Sequence, residues 1–173
     1  MGTSFHRFLT FFYRNFSVSV LAIVCLASLV LGTFLGIVSN DSYFLLMCMA
    51  ASCRVSIVGL ISTSFLPFLF SAFAVYIGKQ KLIYLVVFLR MLLFAWGAVG
   101  TAVAFQTAGW LVHFLLQFSD ILLLPVLCWF SLRQLTEAGV LRKDLSLCTA
   151  TFLLVGSLDF CVVSPFLVML IDI

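Results

Sequence analysis

Long stretches of apolar residues, separated by short polar segments, set the pattern of this chain. A helix needs about 20 consecutive apolar residues to cross a bilayer, and five stretches reach that length. They cover residues 16–38, 55–77, 82–105, 110–132 and 146–171. The pattern therefore predicts an all-α, polytopic integral membrane bundle with five transmembrane helices, in which residues 1–173 form a single membrane domain.

Two apolar stretches need a separate interpretation. Basic residues precede residues 16–38, as in a secretory signal peptide, but this stretch exceeds the about 7–15 residues of such a signal. No small-residue cleavage site follows it, so we interpret it as an uncleaved first span. Residues 43–53 are too short to cross, which indicates an interfacial or re-entrant segment. The alternative is a sixth, hairpin-like crossing.

Basic residues concentrate on one side of the predicted membrane. With the N-terminus in the cytoplasm, only Arg54 lies outside, and seven basic residues lie in cytoplasmic segments: Arg7, Arg14, Lys79, Lys81, Arg133, Arg142 and Lys143. Such an excess follows the positive-inside rule. It predicts a cytoplasmic N-terminus and, because the number of spans is odd, a C-terminus outside.

The composition excludes most soluble functions. Of the 173 residues, 65% are hydrophobic and 9% are charged, whereas a soluble domain is about 45–50% apolar and about 25% charged. A disordered chain does not fit either. The net charge of +3 is too small to indicate a nucleic-acid partner. The lipid bilayer is the partner that the composition predicts.

The motifs of common catalytic sites are missing from the sequence. It contains no G-x-S-x-G, no H-E-x-x-H and no phosphate-binding G-x-x-x-x-G-K-[ST]. An intramembrane aspartyl dyad of Asp120 and Asp159 is the least supported alternative. We therefore expect neither enzymatic activity nor a cofactor.

The sequence offers little support for a metal site or a disulfide framework. Its six cysteines form no C-x-x-C pair, and none has a zinc-finger spacing to histidine. Most lie in apolar stretches, where cysteine behaves as a small hydrophobic residue; a disulfide between Cys48 and Cys53 is the alternative. A metal needs three or four converging ligands, and the spans offer only His113 and two aspartates. We predict no metal site.

Three ionisable residues are predicted to lie deep in the spans. A rise of 1.5 Å per residue places Arg90 ~12 Å from the inner face, Asp120 ~18 Å and Asp159 ~20 Å. Helical side chains lean toward their own N-terminus, which disfavours an Arg90–Asp120 pair and allows Arg90–Asp159 if the helices tilt. The alternatives are an Arg90 that extends to the cytoplasmic surface and charges that line an ion or substrate path.

A polar stripe marks one face of the fourth span. His113, Gln117 and Asp120 occupy positions i, i+4 and i+7 and therefore share one helix face. Such a face must contact protein or water rather than lipid. We predict that it docks inside the bundle or on a partner protein.

Two pairs of glycines predict close helix packing. Gly32 and Gly36 form a G-x-x-x-G in the first span, and Gly97 and Gly100 give the third span a similar small-residue face. Glycines at this spacing let another backbone approach closely. Packing within one chain is the favoured interpretation. A dimer face, and hence a homo-oligomer, is the alternative.

Four short segments and the predicted layout carry a family resemblance. They are the glycine pair in 31–36, Leu66-Pro67, the small-residue run and glycine turn of 97–109, and the apolar stretch that ends at Pro125. In these features, and in five spans with the N-terminus inside, the chain resembles the stage II sporulation protein M family. The proline and acidic group that many members carry before the second proline is replaced here by Gln117-Phe-Ser-Asp.

This resemblance implies a non-enzymatic scaffold subunit in a bacterial cell membrane. Its partners would be other membrane or envelope proteins, such as peptidoglycan hydrolases, in sporulation or cell-envelope remodelling. The alternative is a membrane subunit of a transporter, either a permease of the ABC or energy-coupling type or a substrate-binding component. Span count and length allow it, and the intramembrane charges fit a path better than they fit a pure scaffold. An intramembrane enzyme is a third and weaker alternative.

Overall fold

The computed structural model describes residues 16–39, 65–105, 114–115, 117–136, 141–163, 165–166 and 169. The regular structure in this part of the chain is helical, which confirms the predicted all-α class. Five α-helices follow one another, and the fifth continues into a π-helical turn. They are α1 (Phe16–Val38), α2 (Leu66–Tyr76), α3 (Leu82–Phe105), α4 (Phe118–Thr136), α5 (Leu141–Leu158) and the π-helical turn Asp159–Val163.

Four of these helices are long and apolar enough to cross a membrane. They are α1, α3, α4, and α5 together with its π-helical turn. The described part of α2 has 11 residues, and residues 55–64 of the predicted second span lie outside the described part of the chain. The predicted interfacial or re-entrant segment 43–53 also lies outside it. The described residues thus form a helical membrane protein with four candidate crossings.

The connection between α4 and α5 is shorter than the sequence pattern predicts. We expect a loop from Arg133 to Leu145, but α4 continues through Thr136 and α5 already begins at Leu141. The cause is a set of polar contacts between the two helix ends, in which Gln134 donates a hydrogen bond of 2.9 Å to Asp144. Because these polar groups satisfy one another, they lie within helices rather than in a hydrated loop.

A glycine-centred turn joins α2 to α3. Gly78 adopts a φ of 72°, in the left-handed region. Its N–H bonds to Val75 O, and the N–H of Lys79 bonds to Ala74 O at 2.9 Å. This pair of bonds is the Schellman pattern, which satisfies carbonyls at the end of a helix and requires φ above zero. The short polar connection after α2 is therefore a fixed turn.

Glycines bring α1 and α3 into close contact. A Cβ added at Gly32 would lie 2.5 Å from the Leu92 carbonyl oxygen, and one at Gly36 would lie 2.7 Å from the Cβ of Val99. The contact positions rise together along both helices, so α1 and α3 run parallel. Near the end of α1, Trp96 Nε1 donates a hydrogen bond of 2.7 Å to Ser39 Oγ.

Buried side chains hold α2, α4 and α5 together. The Phe68 ring meets the Phe130 ring with centroids 6.3 Å apart. The Phe65 ring meets the Phe152 ring at 4.7 Å. Both Phe68 and Phe130 are almost fully buried. Aromatic pairs of this kind add to the contribution of apolar burial, and they fix the relative heights of the three helices.

The first helix joins this core near its middle. Leu21 belongs to the buried cluster, and the thiols of Cys25 and Cys128 lie next to each other between α1 and α4. Both cysteines are free, and Cys48 and Cys53 lie outside the described residues. The opposite face of α1 exposes large apolar side chains, including Leu26. Such a face is consistent with lipid contact.

Candidate functional site

The first turn of α4 carries the polar residues of the candidate site. Ser119 and Asp120 are both buried there, although the helix lies among apolar side chains. A charged side chain at membrane depth needs a partner in the bundle or a water-filled cavity. The contacts of these two residues therefore decide what the site can do.

Asp120 forms an ion pair with Arg90 of α3. The guanidinium Nη2 donates to the carboxylate Oδ1, and the side chains are 16% and 8% exposed for Arg90 and Asp120 respectively. The two charges neutralise each other within the helix bundle. A charge-assisted hydrogen bond in such a setting is stronger than one between neutral groups.

This pair corrects the expectation that Arg90 and Asp120 would not meet. The preference of helical side chains to lean toward their own N-terminus is weak, because an unfavourable rotamer costs only about 0.5–1.5 kcal/mol. An unpaired charge at membrane depth costs about 2.5–3.5 kcal/mol even on the most lenient scale. The long arginine side chain therefore bridges the axial offset that separates the two helix positions. The Arg90 guanidinium pairs with Asp120 rather than with Asp159.

Asp159 contacts Ser119, which lies beside Asp120 in the first turn of α4. Ser119 Oγ donates a hydrogen bond to Asp159 Oδ2, and the aspartate is 2% exposed. At this residue α5 changes from α-helical to π-helical geometry. Single π-helical turns inside membrane or soluble helices often mark functional positions. Adjacent residues of α4 thus contact an arginine of α3 and an aspartate of α5.

The predicted polar stripe on the fourth span is seen in part. Gln117 lies immediately before α4, and its Oε1 is buried without a hydrogen-bond partner among the described residues. Asp120 faces α3 through its ion pair. His113 lies outside the described residues. The described members of the stripe therefore face protein.

A small cavity adjoins the ion pair. Its walls are formed mainly by apolar side chains, and its lining comprises Pro67, Phe68, Arg90, Asp120, Leu123, Leu124 and Leu127. It has room for about one water molecule. In the described part of the chain no three side chains of histidine, cysteine or acidic type come together to hold a metal ion.

The four predicted packing glycines lie inside their helices. Gly32 and Gly36 contact α3, as described above. Gly97 and Gly100 are buried in α3, and the Gly97 carbonyl accepts a hydrogen bond of 2.6 Å from Thr101 Oγ1. The close approach of α1 and α3 thus rests directly on the G-x-x-x-G pair.

A second polar cluster, which the sequence pattern does not predict, lies at the other end of α4. Asp144 is 4% exposed; its Oδ2 lies 3.3 Å from Arg133 Nε and accepts the bond from Gln134. The Arg133 guanidinium also lies 5.3 Å from the centre of the Trp129 ring, a cation–π geometry. The sequence does contain one signal for this cluster, since the opposite charges of Arg133 and Asp144 stand on the two sides of a short connection. Because Arg133 was assigned to a loop, its pairing with Asp144 was not predicted.

Both clusters belong to the same helix, α4, and their groups are held by neighbours on α3 and α5. Their geometry describes how the bundle is joined. No protein-family model, curated protein or solved structure matches this chain.

Proposed function

We propose that this chain is a non-enzymatic, multi-pass scaffold that recruits or positions partner proteins at a cell membrane. The observation that carries the proposal is the Arg90–Asp120 ion pair. Charges inside a membrane protein either line a path for ions and substrates or stabilise the bundle by pairing. Here the two charges engage each other, which supports a structural use.

The surroundings of the ion pair support the same conclusion. The adjoining cavity has mainly apolar walls and space for about one water molecule, whereas a transported solute needs a larger, hydrated site. A binding site for a small molecule typically has a volume of about 300–1,000 Å³. A bundle whose intramembrane charges pair with each other is suited to holding other proteins through its surfaces.

The proposed arrangement in the membrane is five crossings with a cytoplasmic N-terminus and an outer C-terminus. The positive-inside distribution of basic residues supports it. The resemblance to the stage II sporulation protein M family supports a bacterial plasma membrane as the location. It also supports envelope proteins, such as peptidoglycan hydrolases, as partners in sporulation or cell-envelope remodelling.

The second candidate is the membrane subunit of a transporter. It is favoured by the buried Asp159, which accepts a hydrogen bond from Ser119 at a π-helical turn. The buried amide oxygen of Gln117, three residues before Asp120 on the chain, adds polar character to the same region. Under this alternative, these groups would line the path of the transported ion or substrate.

The test is purification of the tagged full chain in mild detergent, with quantitative mass spectrometry of the proteins that remain bound. An unrelated multi-pass protein with the same tag serves as the control. Envelope enzymes or septal proteins at stoichiometric amounts would support the scaffold. A stoichiometric nucleotide-hydrolysing subunit would contradict it and establish the transporter alternative.

A second measurement separates the two candidates at a single residue. The variant Asp159→Asn keeps the shape of the side chain and removes its charge. Under the scaffold proposal, any loss of cellular function follows a loss of protein level. Loss of function at a normal protein level and with normal partner binding would favour a path through Asp159.

A further inference from the structure

Contacts between the helices place two short basic segments at the same end of the bundle. Gln134 of α4 contacts Asp144 of α5, and the short connection makes these two helices antiparallel. Phe130, one turn before Gln134, therefore lies level with the turn of α5 that precedes Phe152. The ring pairs Phe68–Phe130 and Phe65–Phe152 then require α2 to run parallel to α4 and antiparallel to α5.

The register follows from counting along these helices. Eleven residues separate Phe65 from Tyr76 at the end of α2, and eleven separate Phe152 from Leu141 at the start of α5. Because the two rings are in contact, Tyr76 and Leu141 lie at about the same level. The turn 77–81 and the first residues of α5 therefore share one end of the bundle, which we call the basic end.

Four exposed cations occupy the basic end. They are Lys79 and Lys81 in the turn, and Arg142 and Lys143 in the first turn of α5. None of the four forms an ion pair with a described residue. The nearby Asp144 does not neutralise them, because its buried carboxylate is engaged by Arg133 and Gln134. The sequence adds one acidic residue, at position 137, between α4 and α5.

Helix stability does not account for Arg142 and Lys143, which lie in the first turn of α5. Basic side chains in the first turn of a helix oppose the helix dipole, and the turn after α2 is already fixed by Gly78. An aromatic side chain lies at the same level, since Tyr76 ends α2 there and is 83% exposed. Tyrosine and tryptophan prefer the headgroup region of a bilayer, so the basic end lies where lipid phosphates lie.

We propose that the basic end binds the phosphate groups of anionic phospholipids in the leaflet that it faces. Clusters of four to eight basic residues next to a membrane-spanning helix attract anionic lipids. Here one pair of cations follows the C-terminus of α2, and the other pair lies at the N-terminus of α5. The lipid would thereby link the two helix pairs α2–α3 and α4–α5 from outside the protein.

The test uses the full chain in nanodiscs that contain equal amounts of phosphatidylglycerol and phosphatidylcholine. After mild extraction and washing, the lipids that remain bound are quantified by mass spectrometry. We expect phosphatidylglycerol to be enriched over phosphatidylcholine. Neutralising the turn with Lys79→Gln and Lys81→Gln should lower the affinity for phosphatidylglycerol by about five-fold for each charge removed. The double variant Arg142→Gln with Lys143→Gln should lower this affinity by a similar factor.

The matched control is the charge-preserving double variant Lys79→Arg with Lys81→Arg, which should retain the enrichment. All variants are first compared by thermal unfolding in discs of phosphatidylcholine alone, where they should match the parent chain. If a neutralised variant does not fold, the parent chain still decides the matter, because about 0.5 M salt must reduce the enrichment by screening.

Three outcomes would overturn the proposal. They are equal retention of the two lipids by the parent chain, enrichment that neutralisation leaves unchanged, and enrichment that salt leaves unchanged. A soluble glycerol phosphate that displaces the lipid at comparable concentration would show a site for free phosphate instead. None of these outcomes bears on the scaffold proposal, which depends on protein partners.

Discussion

Replacing Asp120 by asparagine should leave the Arg90 guanidinium without its counter-charge inside the bundle. The substitution conserves the size of the side chain, so packing changes little and the electrostatic loss dominates. Removing one partner of a buried ion pair costs about 3–5 kcal/mol in soluble proteins. The Arg90 side chain is 16% exposed, and partial access to water relieves part of this cost.

The expected loss is therefore about 2.5–3.5 kcal/mol, which is the lenient cost of an unpaired charge at membrane depth. This loss corresponds to an unfolding constant raised by about 60- to 400-fold. Adding Arg90→Gln to Asp120→Asn removes the second charge and lets two amides bond. The double variant should recover most of the loss, since replacement of both partners is often close to neutral.

The assay is reversible unfolding in mixed micelles, applied to the parent chain, both single variants and the double variant. The double-mutant cycle should give a coupling energy of at least about 2 kcal/mol between the two positions. Single-variant losses that add to within about 0.5 kcal/mol would refute the reasoning, because independent sites behave in that way. A double variant as unstable as Asp120→Asn alone would refute it equally.

Three further predictions follow from other contacts. Gly32→Ala places a Cβ 2.5 Å from the Leu92 carbonyl oxygen, so it should destabilise the chain by about 1–3 kcal/mol in the same micelle assay. A membrane-permeant dithiodipyridine should join Cys25 and Cys128 in one disulfide within a chain, releasing two thiopyridones; peptide mass spectrometry should find that bond, and Cys25→Ser should abolish it. Asp144→Asn should destabilise by less than Asp120→Asn, because its partner Arg133 is 34% exposed and water compensates.

The helices could be predicted from the sequence where a long stretch without charge has polar residues at both ends. The helix α1 spans Phe16–Val38, the bounds that the pattern predicts, because nothing within the stretch competes with a helix. The pattern was less accurate around α4 and α5, where polar residues lie inside helices. Asp144 and Gln134 read as loop residues, yet each satisfies the other in the bundle. The hydropathy pattern alone does not predict this contact.

The candidate site shows the same limit. The sequence identified Arg90, Asp120 and Asp159 as intramembrane charges, since charged residues within apolar stretches are conspicuous. It did not identify which of them meet. The depth estimate treats helices as straight and parallel to the membrane normal, and an offset of several ångströms lies within the reach of an arginine side chain. Ser119 was overlooked because a serine within an apolar stretch carries no distinctive pattern.

The distribution of polar groups indicates how the bundle must assemble. The most apolar 18-residue window of α1 has a mean hydropathy of 2.6, and 22% of it is buried. The corresponding window of α4 has a mean hydropathy of 1.3, and 44% of it is buried. An isolated α4 would expose Asp120 and Ser119 to lipid, and each unsatisfied polar group there costs free energy. Arg90 of α3 and Asp159 of the π-helical turn after α5 satisfy these groups, so packing of α4 against both neighbours removes this cost. Its polar residues therefore specify which helices adjoin it, while the apolar outer face of α1 remains available to the surroundings.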